Sequence, residues 1–375
     1  MANDLRYIII GAGAIGSAVG GALLDAGARV AFVARSAQAD ALRGGIVVRQ
    51  QGRELTVKAD AFTDIRQIEP GSGDVIFIVT KSQATLAAVE DLAAVYPRTA
   101  PVVCLQNGIS NEARAAERFE RIYAGLVVMS AVQLDPHLIT LPMGDEIAVG
   151  RYPSGVDDLT RRMAGDLNRS GFKCIASEYV MEMKWGKLVA NLNNATHAIT
   201  GYWLELGYAD KDMRLLMREV REEGLRVLDA AGIEVEPPPG EPSPLRIREA
   251  TRALDRPPRP RDEALKLPEE RRTYASMWQD LYHDRKSSEA DFLNGEIVRL
   301  GRELSIPTPY NSTLLEIINR MFEKGLKPGI YTPSELRERI RSQKPESRSQ
   351  NPEARSQEPE GPEGRNLTAL GDGQQ

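Results

Sequence analysis

The chain has little cysteine, little histidine and no surplus of basic charge. Cys104 and Cys174 are its two cysteines in 375 residues, too few for a disulfide framework or a zinc site. That usage suits a reducing, cytoplasmic setting. The three histidines, His137, His197 and His283, are scattered without metal-ligand spacing, so no metal is expected. Lys and Arg total 48 against 53 Asp and Glu, a net charge of −5. No basic footprint for nucleic acid is present. Long apolar runs are scarce too. Tyr7 to Leu24 carries no charge, but it is glycine-rich and of marginal length for a span. Neither a signal peptide nor a membrane segment is expected.

Proline is plentiful in two places and sparse elsewhere. Of 23 prolines, nine lie between Glu236 and Arg272 and four between Arg341 and Gln375. Proline removes a donor and stiffens the chain, so 236–272 reads as a polar insertion between helices. It includes one short helical stretch, Thr251 to Leu254. The tail repeats RSQKPES, RSQNPEA and RSQEPEG from Arg341, Arg348 and Arg355. Only four of its 35 residues are apolar, so little offsets the entropy of ordering. Residues 341–375 are expected to be a disordered tail.

What remains falls into two halves. Strand-like runs at Leu5–Ile10, Ala28–Val33, Asp74–Val79 and Pro101–Leu105 alternate with helical patterns. A hairpin spans Ile46–Arg49 and Glu54–Ala59. Leu126–Gln133 and Glu146–Val149 extend the sheet. This alternation predicts a doubly wound α/β domain. From about Ser177 the pattern is helical: Glu178–His197, Asp210–Ala231, Thr273–His283, Ser287–Leu304 and Ser312–Lys324. Apolar residues recur at helical spacing, as in Leu216, Val220, Leu225 and Leu228. Gly232, Gly301 and Gly325 are read as helix stops. The boundary between an α/β domain and an all-α domain is therefore placed at 176/177, with the helical domain running to 340.

The clearest chemical signal is GAGAIG, comprising Gly11, Ala12, Gly13, Ala14, Ile15 and Gly16. It follows a strand and opens a helix, the context that a dinucleotide fingerprint requires. Gly11 allows the turn, Gly13 lets backbone approach a pyrophosphate, and Gly16 permits close helix–strand packing. The second strand ends Val33-Ala34-Arg35 rather than in a carboxylate. Arg35 can pair with a 2′-phosphate, which favours NADP(H). The lesser reading is a solvated surface charge. Lys81 and Asn107 end the next two strands, at the edge where such sheets bind ligands. Lys81 also reads as a helix-start residue and Asn107 as a turn residue.

A second cluster lies in EMKWGKLVANLNNATHAI. Lys187, Asn191 and Asn194 fall at i, i+4 and i+7, on one helical face. A partly buried lysine there suits general-acid work on a carbonyl, with the amides orienting substrate. The same face reads as solvated polar surface. Further on, Ser276 opens SMWQDL, and Glu289, Asp291 and Asn294 lie in SSEADFLNG. Glu289 either completes a site or caps a helix. His197 borders the same face. Trp185, Trp203 and Trp278 are expected in the core.

Taken in order, GAGAIG, TKSQ, LQNG, KWGKLVAN, SMWQD and EADFLNG resemble the 2-dehydropantoate 2-reductase (ketopantoate reductase) family. The resemblance spans about residues 5 to 325, apart from the proline-rich insertion. It implies a Rossmann domain joined to a helical domain like that of 6-phosphogluconate dehydrogenase. It further implies NADPH-dependent reduction of a small 2-oxo acid, 2-dehydropantoate, to (R)-pantoate, and allows a homodimer. By position Lys187 resembles the general acid and Glu289 the glutamate that positions substrate. Asn107 and Lys81 resemble contacts to cofactor and substrate. Asn191 and Ser276 resemble substrate-positioning groups, and Asn194 stands near the usual second asparagine, at whose place this chain has Ala195. Trp278 replaces a frequent leucine. Such departures fall where side-chain selectivity is set.

Overall fold

The computed structural model describes residues 5–50, 52–239, 248–249, 251–252, 254, 260–285 and 288–342. Its first half is built on β1 (Arg6–Ile10), α1 (Ala14–Asp25), β2 (Arg29–Val33), α2 (Ser36–Gly44), β3 (Ile46–Gln50), β4 (Arg53–Val57) and β5 (Asp60–Phe62). There follow β6 (Asp74–Ile78), α3 (Thr85–Ala93), β7 (Pro101–Cys104), α4 (Asn111–Ala116), β8 (Arg121–Asp135), β9 (Leu138–Arg151), α5 (Asp158–Arg169) and β10 (Lys173–Ala176). The ten strands among the described residues join one sheet in the order β4-β3-β9-β8-β7-β6-β1-β2-β5, with β10 on β9.

From β8 to β5 the pairs β8–β7, β7–β6, β6–β1, β1–β2 and β2–β5 are parallel. Parallel strands are covered on both faces, which explains the unbroken apolar runs of the sequence. Successive side chains point to opposite faces. Tyr7, Ile9, Phe77 and Val103 pack on one side under α1 and α5. Ile8, Ile76, Val102 and Cys104 pack on the other with Val89, Leu92 and Ala115. Each fully buried residue of this kind contributes roughly 2 kcal/mol. Chain order reverses between β1 and β6, which makes the crevice above their carboxyl ends the ligand-binding position for such a sheet.

The second half is helical: α6 (Val180–Asn191), α7 (Asn193–Thr200), α8 (Leu204–Ala209), α9 (Lys211–Ala230), α10 (Arg261–Leu265), α11 (Ser276–Tyr282), α12 (Asn294–Glu303), α13 (Pro309–Lys324) and α14 (Pro333–Ser342). Leu188, Leu192, Leu216, Val220, Ile297, Leu314 and Ile318 form its core. The buried Glu223 carboxylate accepts from the backbone N–H groups of Tyr310 (3.0 Å) and Asn311 (2.7 Å). It thus serves the free donors that open α13.

Several expectations need correction. The helix expected over Glu178–His197 is broken at Leu192 into α6 and α7. The amide of Asn294 bonds the Leu192 carbonyl at 3.1 Å and Asn311 Oδ1 at 2.9 Å. Asn294 is therefore a buried link between the α6–α7 break and α13. No single helix covers Ser287–Leu304 among the described residues. A 3₁₀ turn, Ala290–Phe292, precedes α12, so Glu289 flanks that turn instead of capping a long helix. Gly301 lies inside α12, where a Cβ would come within 2.5 Å of Thr308 Cγ2. It serves close packing and stops nothing. Gly232 and Gly325 do follow helices, at φ +66° and +61°. The short edge strands β5 and β10 were not anticipated.

Arg341, expected in a disordered tail, lies in the last turn of α14 and bonds Glu219 at 3.0 Å. Ile340 beside it is buried. The remaining tail, 343–375, and part of the expected insertion, 240–247, 250, 253 and 255–259, lie outside the described residues. Within the insertion, Ala264 of α10 packs against Leu206 and Ala209. Leu254 packs against Met213 and Met217. Trp278 is only half buried and forms the middle of a stacked row, 3.7 Å from Tyr274 and 4.7 Å from Tyr282 between ring centres.

Candidate active site

The glycine-rich turn sits directly above β1. Gly11 adopts φ +100°, and a Cβ there would meet Thr80 Cγ2 at 2.8 Å. At Gly16 a Cβ would lie 2.1 Å from the Gly11 carbonyl oxygen. Both positions exclude a side chain. At Gly13, by contrast, a Cβ would touch nothing within 4 Å, so this backbone faces open space at the start of α1. The first-turn N–H groups of a helix have no intrahelical partners and carry the positive dipole end. Close backbone approach by a phosphate is what this arrangement admits. Arg35 lies exposed between β2 and α2.

The ends of β6 and β7 are fixed by a polar network. Gln106 donates to the Thr80 carbonyl at 2.7 Å and to Thr85 Oγ1 at 2.9 Å. The Asn107 carbonyl accepts from Ser82 Oγ at 3.0 Å and from Asn111 Nδ2 at 2.8 Å. Gly108 turns the chain at φ +79°, against Phe292. With its main chain held, Asn107 presents its side-chain amide to the helical half.

That amide joins two groups. Lys187 Nζ donates to Asn107 Oδ1 at 2.9 Å and to the Val127 carbonyl at 2.5 Å. Asn107 Nδ2 faces Glu289 Oε2 at 3.4 Å. Lysine, asparagine and glutamate thus form one row between the halves of the molecule. Burial pushes the Lys187 ammonium down to about 8, helped by the nearby charge of Lys184 and opposed by Glu289. An amine so placed is protonated at neutral pH and gives its proton up readily.

The other singled-out residues are placed as follows. Asn194 Nδ2 bonds Ser276 Oγ at 3.2 Å, which joins α7 to the start of α11. Asn191 lies half-buried at the end of α6, one turn beyond Lys187. Lys81 Nζ pairs with Asp280 Oδ2 at 2.9 Å, a bond from the sheet edge to α11. His197 does not belong to this group. Its Nδ1 contacts the Tyr202 carbonyl, its ring lies against Gly207, and burial pushes it down to about 4.

Sequence reasoning missed Lys184, Glu112, Asp280, Ser82 and Asn111. Lys184 and Glu112 form an ion pair whose side chains are 1% and 0% exposed. The one available signal was Lys184 itself, one turn before Lys187 in KWGK.

Comparison with known proteins decides the family. The N-terminal model of ketopantoate reductase PanE/ApbA matches residues 7–154, and the C-terminal model matches residues 179–322. The chain belongs to the ketopantoate reductase family. It is 30% identical over 326 residues to the 2-dehydropantoate 2-reductase of Archaeoglobus fulgidus, covering 86% of this chain and 99% of that one. The 2-dehydropantoate 2-reductase of Pyrococcus horikoshii is 27% identical over 317 residues, covering 84% and 96%. A PanE/ApbA family ketopantoate reductase structure from Ralstonia eutropha aligns with a TM-score of 0.71 at 26% identity, covering 86% of this chain and 99% of that one. As a ketopantoate reductase family member the chain is an oxidoreductase acting on a CH–OH donor, which implies a nicotinamide cofactor. Among the described residues no helix is long and apolar enough to cross a membrane.

Proposed function

We propose that this chain reduces 2-dehydropantoate, a small 2-oxo acid, to (R)-pantoate with NADPH, and that Lys187 is the general acid. The observation that carries this reading is the row Lys187–Asn107–Glu289 above the β6 and β7 ends. The curated relatives described above carry the same activity in their names. In this reading residues 1–176 bind the cofactor and 177–340 bind the substrate.

The turn Gly11-Ala12-Gly13-Ala14-Ile15-Gly16 fits a dinucleotide, because Gly13 leaves room where a side chain would stand. Arg35 pairs with the 2′-phosphate, with no nearby carboxylate at the end of β2 to oppose it. Lys81 and Asn107 flank the nicotinamide end. When bound, the reduced nicotinamide supplies a hydride to the substrate carbonyl carbon.

Lys187 gives its ammonium proton to the carbonyl oxygen, and the alcohol forms. Solvent then returns a proton to the amine. Asn107 fixes the ammonium with one amide atom and Glu289 with the other, so the donor keeps its orientation. Glu289 also favours the charged form of Lys187 before the proton moves. Asn191, Asn194 and Ser276 supply hydrogen bonds to the substrate from α6, α7 and α11. Such positioning accounts for a large share of rate enhancement in two-reactant steps.

The test is NADPH oxidation against a panel of 2-oxo acids. This reading expects 2-dehydropantoate to be the preferred substrate. Preference for another 2-oxo acid would reassign the substrate and leave the chemistry. NADPH binding without oxidation of any would contradict the reading.

A further inference from the structure

Behind Lys187 lies an ion pair that the proposed chemistry does not use. Lys184 of α6 donates to Glu112 of α4, and both side chains are closed to solvent. A lysine and a glutamate are rarely fully buried unless paired. A buried pair of this kind is weak evidence for stability, because desolvation offsets its attraction. Its place in the fold gives it another use.

Glu112 directly follows Asn111, and the two neighbours hold the two sides of the Lys187–Asn107 bond. Asn111 Nδ2 bonds the Asn107 carbonyl at 2.8 Å. Glu112 holds Lys184, which stands one turn before Lys187 on the same helix. The result is a closed ring: Asn107, then Asn111 and Glu112 on α4, then Lys184 and Lys187 on α6, then back to Asn107 at 2.9 Å. Two of its links cross from the sheet to the helical half. Residues locked by packing and by supporting hydrogen bonds keep a reacting group within a fraction of an ångström.

We infer that Glu112 and Lys184 are positioning residues, a buried brace that sets the Lys187 ammonium against Asn107. The inference rests on the reading of Lys187 as the acid. The charged groups around Lys187 are Glu289 from the turn before α12 and Lys184 from its own helix, with Glu112 of α4 behind Lys184. Lys184 repels a second ammonium, so its removal makes Lys187 hold its proton more tightly. Loss of the brace also lets the amine wander from Asn107.

The test compares wild type with the double variant Glu112→Gln/Lys184→Met, which removes both charges together. Two quantities are read. One is the apparent pKa of Lys187 by competitive acetic anhydride labelling and mass spectrometry, which needs no turnover. The other is the pH profile of kcat. The nearer Lys184 charge outweighs that of Glu112 behind it, so the expected result is a Lys187 pKa that rises and a kcat about tenfold lower, with NADPH affinity unchanged. A merely structural pair would lower stability and leave the labelling pKa and the alkaline limb where they are, and that result overturns the inference. Glu112→Asp guards against misfolding of the double variant. It keeps both charges and draws the carboxylate back by one methylene. There kcat falls severalfold with the alkaline limb unmoved, whereas a wild-type kcat counts against the brace. If wild type reduces no 2-oxo acid, the proposed activity fails, and the labelling still decides whether the brace acts on Lys187.

Discussion

Lys187 and Asn107 stand eighty residues apart in sequence and bond at 2.9 Å. Asn107 follows β7 of the parallel sheet, and Lys187 projects from the first helix of the second half. Their contact places an ammonium group at the edge where a Rossmann-type sheet receives its ligand. Each partner also touches another site group: Asn107 reaches Glu289, and Lys187 reaches the Val127 carbonyl.

The pH dependence of reduction follows from Lys187. Its folded-state pKa is lowered to about 8, chiefly by burial. With Lys187 as the proposed acid, the reacting form is the protonated one. So kcat for reduction is flat through neutral pH and falls as pH rises through about 8, by roughly tenfold per unit well beyond it. For the reverse oxidation the amine must be neutral, so the limb has the opposite sign. A steady-state pH profile in both directions checks this; a reduction rate that climbs between pH 8 and 10 would contradict it.

Arg35→Ala separates the two nicotinamide cofactors. Loss of a charge-assisted pair with the 2′-phosphate weakens NADPH about tenfold or more and leaves NADH nearly unchanged. Fluorescence titration with both cofactors measures it. Equal losses would show that Arg35 does not read the phosphate.

Gly16→Ala tests the cradle. Elsewhere in a helix this change is favourable, but here the new Cβ would stand 2.1 Å from the Gly11 carbonyl oxygen. The backbone must shift, at about 1–3 kcal/mol. Urea unfolding should show that loss, with weaker NADPH binding. Gly13→Ala meets no protein atom within 4 Å, so its stability holds while cofactor binding drops.

Much of this was legible in the chain. GAGAIG announces itself because a strand precedes it and a helix follows it. Strand ends, and with them Lys81 and Asn107, follow from unbroken apolar runs. The helix around Lys187 follows from apolar spacing. Long-range polar pairing was not legible. Lys184 on a helix reads as a solvated residue until Glu112, seventy-two positions earlier, is seen to neutralise it. The break at Leu192 is hidden for the same reason, since Asn294 meets the Leu192 carbonyl from 102 residues away. Gly301 looked like a stop because glycine commonly ends helices. Its reason is instead the Thr308 side chain packed against it. The strands β5 and β10 have three and four residues, too short for alternation to show.

The most direct measurement is the rate of NADPH oxidation with 2-dehydropantoate, for wild type and for Lys187→Ala, with NADPH binding followed in parallel. Removal of a general acid costs about a hundred- to ten-thousandfold. The predicted result is turnover by wild type, a kcat lower by that factor in the variant, and NADPH affinity retained. Near-wild-type turnover by Lys187→Ala would contradict the assignment of Lys187 as the proton donor.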